Sequence, residues 1–196
     1  MAVEAGTRVG RFVIHEYLGQ GDLGLTFRAR DEAEGSVAIK VLRSLSGPDL
    51  RPRFFELAKR LRGIGHPNLV AVLEVGDHEE APYLVLRYAA GGSLEELLRA
   101  PTLSPAAALW FLREIAAGID HAHRSGLVHG ALKPQQVVLD DGDRPLVTDF
   151  GLAPLRWPQQ LEAVSSRLRF RLTDPWRRVQ LLHKADSRVT ASVAPP

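Results

Sequence analysis

The residues with the clearest capacity for chemistry lie in one stretch, LVHGALKPQQVVLDDGDRPLVTDFGLA, at positions 127–153. Its apolar run at 137–139, the Asp141-Gly142 turn signal and the apolar run at 146–148 together predict a β-hairpin. Such a ribbon holds the loop before its first strand beside the loop after its second. His129 and Lys133 are therefore expected at the same end of the ribbon as the carboxylate of Asp149.

A second candidate lies near the start of the chain, where Gly19, Gly21 and Gly24 form a GxGxxG pattern. In a dinucleotide-binding fold this pattern stands between a strand and a helix. Here strand-type residues lie on both sides, so the glycines are predicted to cap a hairpin. They form either a plain turn or a loop that approaches a ligand closely. The next predicted strand, at 37–40, ends in Lys40 and favours the ligand-binding interpretation.

The remaining patterns predict the elements that position these residues. Strands are predicted at 11–19, 25–30, 69–75 and 83–88, and helices at 50–64, 93–98 and 104–123. Leu109, Leu112, Ala116 and Ile119 form the main apolar stripe of the longest helix. Phe111 and Ile115 widen that stripe, which predicts a helix buried on most sides.

Taken in order, these motifs resemble protein kinases of the bacterial serine/threonine type over about residues 8–153. His129, Leu132, Lys133, Pro134 and the Asp149-Phe150-Gly151 triplet match the family's catalytic and magnesium loops. The resemblance implies an α+β fold of two lobes. Residues 8–87 would form an N-lobe with a five-stranded antiparallel sheet and one helix, and residues 88–153 an incomplete, mainly helical C-lobe.

The resemblance also implies roles for individual residues around an ATP and Mg²⁺ site. The three glycines would wrap the phosphates, and Asp149 would hold magnesium. Glu56 would pair with Lys40, the alternative being a surface pair with Arg60. Leu86 would guard the back of the nucleotide pocket, and the backbone of Arg87 and Ala89 would meet an adenine edge.

Three positions depart from the family pattern in one loop. Gly130 replaces an arginine, Ala131 replaces the catalytic aspartate, and Gln136 replaces a metal-binding asparagine. Ala131 cannot accept a proton, and Gln136 is a doubtful metal ligand because its amide is displaced by one methylene. The retained nucleotide elements together with these losses are typical of a pseudokinase.

Composition limits the other possibilities. The chain has no cysteine, which excludes disulfides and thiolate metal sites. Residues 154–196 carry eight Arg or Lys against three Asp or Glu, and they are predicted to be a basic, partly disordered tail with a strand-like run at 166–172 and a short helix near 174–182. No nucleic-acid motif accompanies that charge, and no apolar run suggests a membrane span. The start of the chain lacks a signal-peptide pattern, so a cytoplasmic protein is expected.

Beyond Ala153 the kinase pattern fades, and the helices that normally cover the C-lobe are not found. A large apolar face would then be left bare, which predicts self-association or a protein partner. Three functions remain open: a nucleotide-binding pseudokinase that regulates by binding, a serine/threonine kinase with residual activity, and a kinase-shaped scaffold that binds no nucleotide.

Overall fold

Six antiparallel strands form the N-terminal half of the molecule. The computed structural model describes residues 5–21, 23–31, 33, 35–42, 50–79, 81–99 and 103–156. The strands are β1 (Arg8–Val9), β2 (Phe12–Gln20), β3 (Gly24–Asp31), β4 (Gly35–Leu42), β5 (Val72–His78) and β6 (Ala81–Arg87), in the spatial order β1-β2-β3-β4-β6-β5. The five predicted strands are confirmed, and the two-residue β1 adds a sixth that the sequence did not suggest.

The alternation of β4 divides the core between the two faces of the sheet. Val37, Ile39 and Val41 pack with one apolar cluster, which includes Phe12 and Phe27. Ala38 and Leu42 belong to a second cluster on the opposite face, where helix α1 (Leu50–Arg62) contributes its buried residues. Because side chains two apart share a face, Lys40 lies on the side covered by α1.

Within the described residues, the C-terminal half contains three α-helices, a short 3-10 helix at Pro134–Gln136 and a two-stranded ribbon. The α-helices and strands are α2 (Leu94–Arg99), α3 (Pro105–Arg124), β7 (Val137–Leu139), β8 (Pro145–Val147) and α4 (Ala153–Arg156). Ser93 and Glu96 form a reciprocal capping box at the start of α2, since each side chain bonds the other's backbone amide. Ser104 caps α3 through the amide of Ala107, and Pro105 occupies its first turn as predicted.

Helix α3 is buried on one side only, which corrects the prediction of a helix buried on most sides. Phe111, Ile115 and Ala122 pack into the third apolar cluster with the ribbon. Leu109 and Leu112, which belong to the predicted stripe, are 68% and 63% exposed. The breadth of the apolar stripe overstated the burial, whereas the exposure of Leu109 and Leu112 agrees with the expectation of a bare apolar face where covering C-lobe helices are not found.

Asn68 joins the two halves behind the site. Its side-chain amide donates to Glu114 of α3 and to the carbonyl of Pro145 at the start of β8. The backbone continues the junction, because Val147 donates to the Asn68 carbonyl and Val70 donates to the Val147 carbonyl. This buried contact holds β8, and therefore the loop that follows it, against the sheet-rich half.

Three predictions fall outside this description. The strand-like run and the amphipathic helix predicted within residues 157–196, and the predicted disorder at the end of that segment, lie beyond the described residues. Within the described ranges, no helix combines the length and apolarity needed to cross a membrane.

Candidate active site

The ribbon places the two candidate loops side by side, as the sequence predicted. Val137 pairs with Val147 and Leu139 with Pro145, so the ribbon is in regular register. The amide of Thr148 donates to the carbonyl of Gln136, which extends the pairing toward the loops. At the opposite end, Asp140 accepts hydrogen bonds from the amides of Gly142 and Arg144 in a tight turn.

His129 is a buried organising residue of the site. Its Nε2 lies 2.9 Å from the carbonyl of Thr148, and its Nδ1 lies 3.4 Å from the amide of Ala131. The first contact requires a proton on Nε2 and the second a lone pair on Nδ1, so both fit one neutral tautomer. Burial lowers the pKa of His129 below its usual value, partly opposed by the bond to Thr148. Its ring packs edge-on against Phe150 and thereby fixes the Asp-Phe-Gly segment.

Lys40 and Asp149 form an ion pair at the centre of the site. The Nζ of Lys40 contacts Oδ2 of Asp149, and the two side chains are only 7% and 17% exposed. Asp149 adopts a left-handed backbone conformation with φ of 64°, which turns its carboxylate away from the line of β8. The two residues therefore meet across the boundary between the sheet and the ribbon, although 109 positions separate them in sequence.

The expected ion pair between Lys40 and Glu56 is not formed. Phe54 and Ala58 define the buried side of α1, and one residue corresponds to about 100° of rotation, so Glu56 falls on the exposed side. Leu57 faces the site instead and approaches Gly151 closely. The alternative surface pair also fails, because Arg60 donates to the carbonyls of Ser125 and Gly126. Lys40 has taken the Asp-Phe-Gly carboxylate as its partner in place of a helix glutamate.

The glycine-rich hairpin lies over Lys40. The amide of Gly21 donates to the carbonyl of Gly24 and closes the tip of the hairpin. A β-carbon on Gly24 would lie 2.0 Å from the carbonyl oxygen of Val41, so only glycine fits there, whereas one on Gly21 would lie 3.7 Å from the Lys40 Nζ. No atom lies within 4 Å of the corresponding position at Gly19. The hairpin is thus a close backbone cover over the lysine.

The predicted hinge is present, with one restriction on how it can meet a base. Leu86 is buried, and with Phe150 it lines a small, mainly apolar cavity that reaches Asp149. The amide of Arg87 donates to the carbonyl of Ala71, so that amide cannot also serve a ligand. An adenine edge would have to use the carbonyl of Arg87 together with the backbone of Ala89.

Gln136 provides the structural test for a metal. It is buried, and among the described residues its Oε1 is the buried side-chain polar atom without a hydrogen-bond partner. It lines the same cavity as Asp149, Ala131 and His129. An orphaned amide oxygen beside a carboxylate is the donor set that a hard divalent cation prefers. Asp149 and Gln136 therefore fit Mg²⁺, although Asp149 now contacts Lys40.

The other two departures in the loop also have structural consequences. Ala131 presents only a methyl group to this cavity and offers no proton acceptor. Gly130 adopts φ of 79°, where glycine is unstrained, and a β-carbon there would lie 3.0 Å from that of Ala153. Lys133 is exposed on the loop. The spacing of Phe54, Leu57 and Leu61 in the sequence predicts an inward position for Leu57, which the structure confirms; the sequence did not show that Glu56, beside this stripe, would be exposed.

Comparison with known proteins agrees with this geometry. A family model described as protein tyrosine and serine/threonine kinase matches residues 12–186. The serine/threonine-protein kinase PknJ of Mycobacterium tuberculosis is 35% identical over 158 residues, covering 77% of this chain and 27% of PknJ. PrkC of Bacillus subtilis is 33% identical over 153 residues, covering 76% of this chain and 24% of PrkC.

A crystal structure of the Mycobacterium tuberculosis PknI kinase domain superposes with a TM-score of 0.66 at 26% identity, covering 76% of this chain and 63% of that domain. This chain spans about a quarter of the length of the curated relatives named above. The match to the family model extends over most of the sequence. The chain belongs to the protein kinase family.

Proposed function

We propose that this chain is a nucleotide-binding kinase domain whose phosphotransfer is impaired and which acts through regulated binding. The observation that carries the proposal is the pairing of retained and lost groups in one cavity. Asp149 and Gln136, whose side-chain oxygen has no hydrogen-bond partner, line this cavity, and Lys40 contacts Asp149. Ala131 occupies the position of the catalytic aspartate and presents only a methyl group to the cavity.

The retained residues suffice for binding a nucleotide. The hairpin at Gly21 and Gly24 brings backbone close to Lys40, and the ammonium group of Lys40 supplies positive charge for phosphates. Asp149 and Gln136 would hold the magnesium ion, which neutralises phosphate charge when it is bound. Leu86 closes the back of the pocket, and the carbonyl of Arg87 with the backbone of Ala89 would orient the base.

The lost residues account for weak catalysis. A positioned general base contributes about 10²–10⁴ in rate, which corresponds to roughly 3–5 kcal/mol of barrier, and Ala131 cannot supply it. Kinase catalysis also requires the strand lysine to pair with a helix glutamate. Here the residues of α1 on the side of the site are apolar, since Leu57 contacts Gly151 and Leu61 lines the cavity beside Asp149, and Glu56 is exposed. Two independent elements of the catalytic apparatus are therefore lacking.

A second candidate is a serine/threonine kinase with residual activity, favoured by the names of the relatives PknJ and PrkC. It shares the same nucleotide site and differs only in turnover. The third possibility, a scaffold that binds no nucleotide, is favoured by the existing pair between Lys40 and Asp149, which any phosphate and metal would have to disrupt.

The binding proposal is tested by the melting temperature of the protein against ATP concentration with magnesium. At 100-fold excess over the dissociation constant, binding stabilises the native state by about 2.7 kcal/mol. For a chain of this size the midpoint should rise by roughly 5–10 °C. Lys40→Met is the matched variant and should lose most of the rise. If the wild type shows no shift at millimolar ATP, the scaffold function is the one supported.

A further inference from the structure

The tip of the glycine hairpin carries an apolar side chain into the candidate metal cavity. Leu23 lies within the turn that the Gly21 amide closes onto the Gly24 carbonyl. Its side chain lines the cavity shared by Gln136, Asp149 and Ala131. The cavity whose polar groups suit a cation is thus in contact with a leucine that supplies no ligand.

The packing of Leu23 explains why the hairpin rests in this position. Leu23 is half-buried and packs against the apolar cluster that includes Leu152 and Leu155, which directly follow the Asp-Phe-Gly segment. A leucine at the tip of a hairpin would otherwise be exposed to water, so this contact stabilises the lowered hairpin. By contrast, Leu18 in the same hairpin is 41% exposed.

The base of the hairpin is held by β4 at Gly24. The α-carbon of Gly24 is pressed against the carbonyl of Val41, where no β-carbon would fit. Gly24 also pairs in register with Leu42 at the end of β4. Displacement of Leu23 is therefore expected at the turn that begins at Gly21, where the atom nearest to the position of a β-carbon is the end of the Lys40 side chain, at 3.7 Å, rather than backbone.

We propose that Leu23 is an autoinhibitory stopper, which holds the glycine hairpin down on the residues after Asp-Phe-Gly and must leave the cavity before a phosphate group and divalent cation enter. This inference rests on the proposed binding of a nucleotide. It assigns the resting protein a closed state in which Leu23 and the Lys40–Asp149 pair obstruct the same site. The apparent affinity for nucleotide is then the intrinsic affinity of the open state multiplied by the fraction of molecules that are open.

The consequence is that weakening the contact of Leu23 should increase the affinity for nucleotide. Leu23→Ser removes the apolar side chain while leaving Gly21 and Gly24 unchanged. Because Leu23 is only half-buried, we expect the dissociation constant for Mg²⁺·ATP to fall by roughly 3- to 10-fold. Leu23→Ala, which keeps part of the packing, should give an intermediate decrease.

The experiment is a fluorescence titration of the full chain with a ribose-labelled ATP analogue and magnesium. Leu18→Ser is the matched control, since it removes the same side chain from an exposed position of the same hairpin, and its affinity should equal that of the wild type. Graded tightening from wild type through Leu23→Ala to Leu23→Ser supports the stopper. The same conclusion follows if Leu23→Ser binds and the wild type does not.

Two results would contradict the proposed role of Leu23, and they differ in whether they also contradict the proposed nucleotide site. Equal or weaker binding by Leu23→Ser, with measurable binding by the wild type, eliminates the stopper and leaves the nucleotide site intact. Absence of binding in all four proteins eliminates the nucleotide site itself and the stopper with it.

Discussion

The ion pair between Lys40 and Asp149 should make a measurable contribution to stability in the absence of nucleotide. Both side chains are largely buried, at 7% and 17% exposure. Two unit charges about 4 Å apart attract by about 4 kcal/mol at an effective dielectric constant of 20. The residual hydration of Asp149 and the desolvation of both groups reduce the net value. We therefore expect a coupling free energy of about 2 kcal/mol.

The coupling is obtained from a double-mutant cycle of Lys40→Met and Asp149→Asn. Methionine keeps most of the apolar stem of the lysine, and asparagine tolerates the left-handed backbone at this position. Each single variant leaves one charge without its partner and should lose about 2–3 kcal/mol of unfolding free energy. The double variant leaves neither charge, so its loss should be well below the sum of the two.

Urea unfolding without nucleotide or divalent cations provides the four free energies. Arg124 and Asp120 form the control pair, because they lie on the exposed surface of α3 and should show no measurable coupling in a parallel cycle. If the losses at Lys40 and Asp149 add within about 0.5 kcal/mol, the pair is not energetically formed and this account of the resting site is refuted.

Three further predictions follow from the site. Glu56→Ala should leave the ATP-dependent rise in melting temperature unchanged, because Glu56 is exposed and Lys40 contacts Asp149 instead. If Glu56→Ala reduced this rise as much as Lys40→Met does, Glu56 would contribute to nucleotide binding and this prediction would be wrong. Ala131→Asp combined with Gln136→Asn should not restore full kinase activity in a radiolabelled phosphotransfer assay, because Leu57 still faces the site where a pairing carboxylate is required; robust phosphorylation by that double variant would contradict this. His129 has a lowered pKa in the folded state, so the unfolded chain binds its proton first, and stability is lost as pH falls below the usual value of 6.5. His129→Gln, compared with the wild type by urea unfolding from about pH 7.5 to about pH 5, should flatten that loss, and an unchanged slope would show that His129 does not titrate on unfolding.

The sequence predicted most of the elements because their signals are local. Strand alternation, the Ser104-Pro105 helix start and the Asp141-Gly142 turn each depend on a few neighbouring residues, and all are found. The period of two along a strand is also sufficient to place Lys40 on the same face as Ala38. The short strand β1 was not predicted because two residues are too few to show the alternation of apolar and polar side chains that identifies a strand.

The errors came from contacts between distant segments. Glu56 was chosen for its charge, but the rotation of α1 is set by packing of Phe54 and Ala58 against the sheet, which brings Leu57 inward. Similarly, the breadth of the stripe on α3 suggested burial on most sides, whereas within the described residues Leu109 and Leu112 are exposed, which agrees with the separate expectation of a bare apolar face. The contact of Leu23 with the cavity joins the hairpin tip to a loop over 100 residues away, which no local pattern encodes.

The prediction that the chain self-associates or has a protein partner follows from the same exposed apolar side of α3 and stays a prediction. The proposal of impaired catalysis rests instead on Ala131 and Leu57, which are defined by the sequence and by the packing of α1.

The most direct test is the turnover of phosphate transfer at a concentration of Mg²⁺·ATP that the melting curve shows to be saturating. A general protein substrate and an intact bacterial serine/threonine kinase should be assayed alongside. We expect binding of nucleotide with a turnover at least about 100-fold below the usual kinase range of roughly 1–100 s⁻¹. Saturable turnover within that range would contradict the account, since it would show that neither Ala131 nor Leu57 prevents the chemistry.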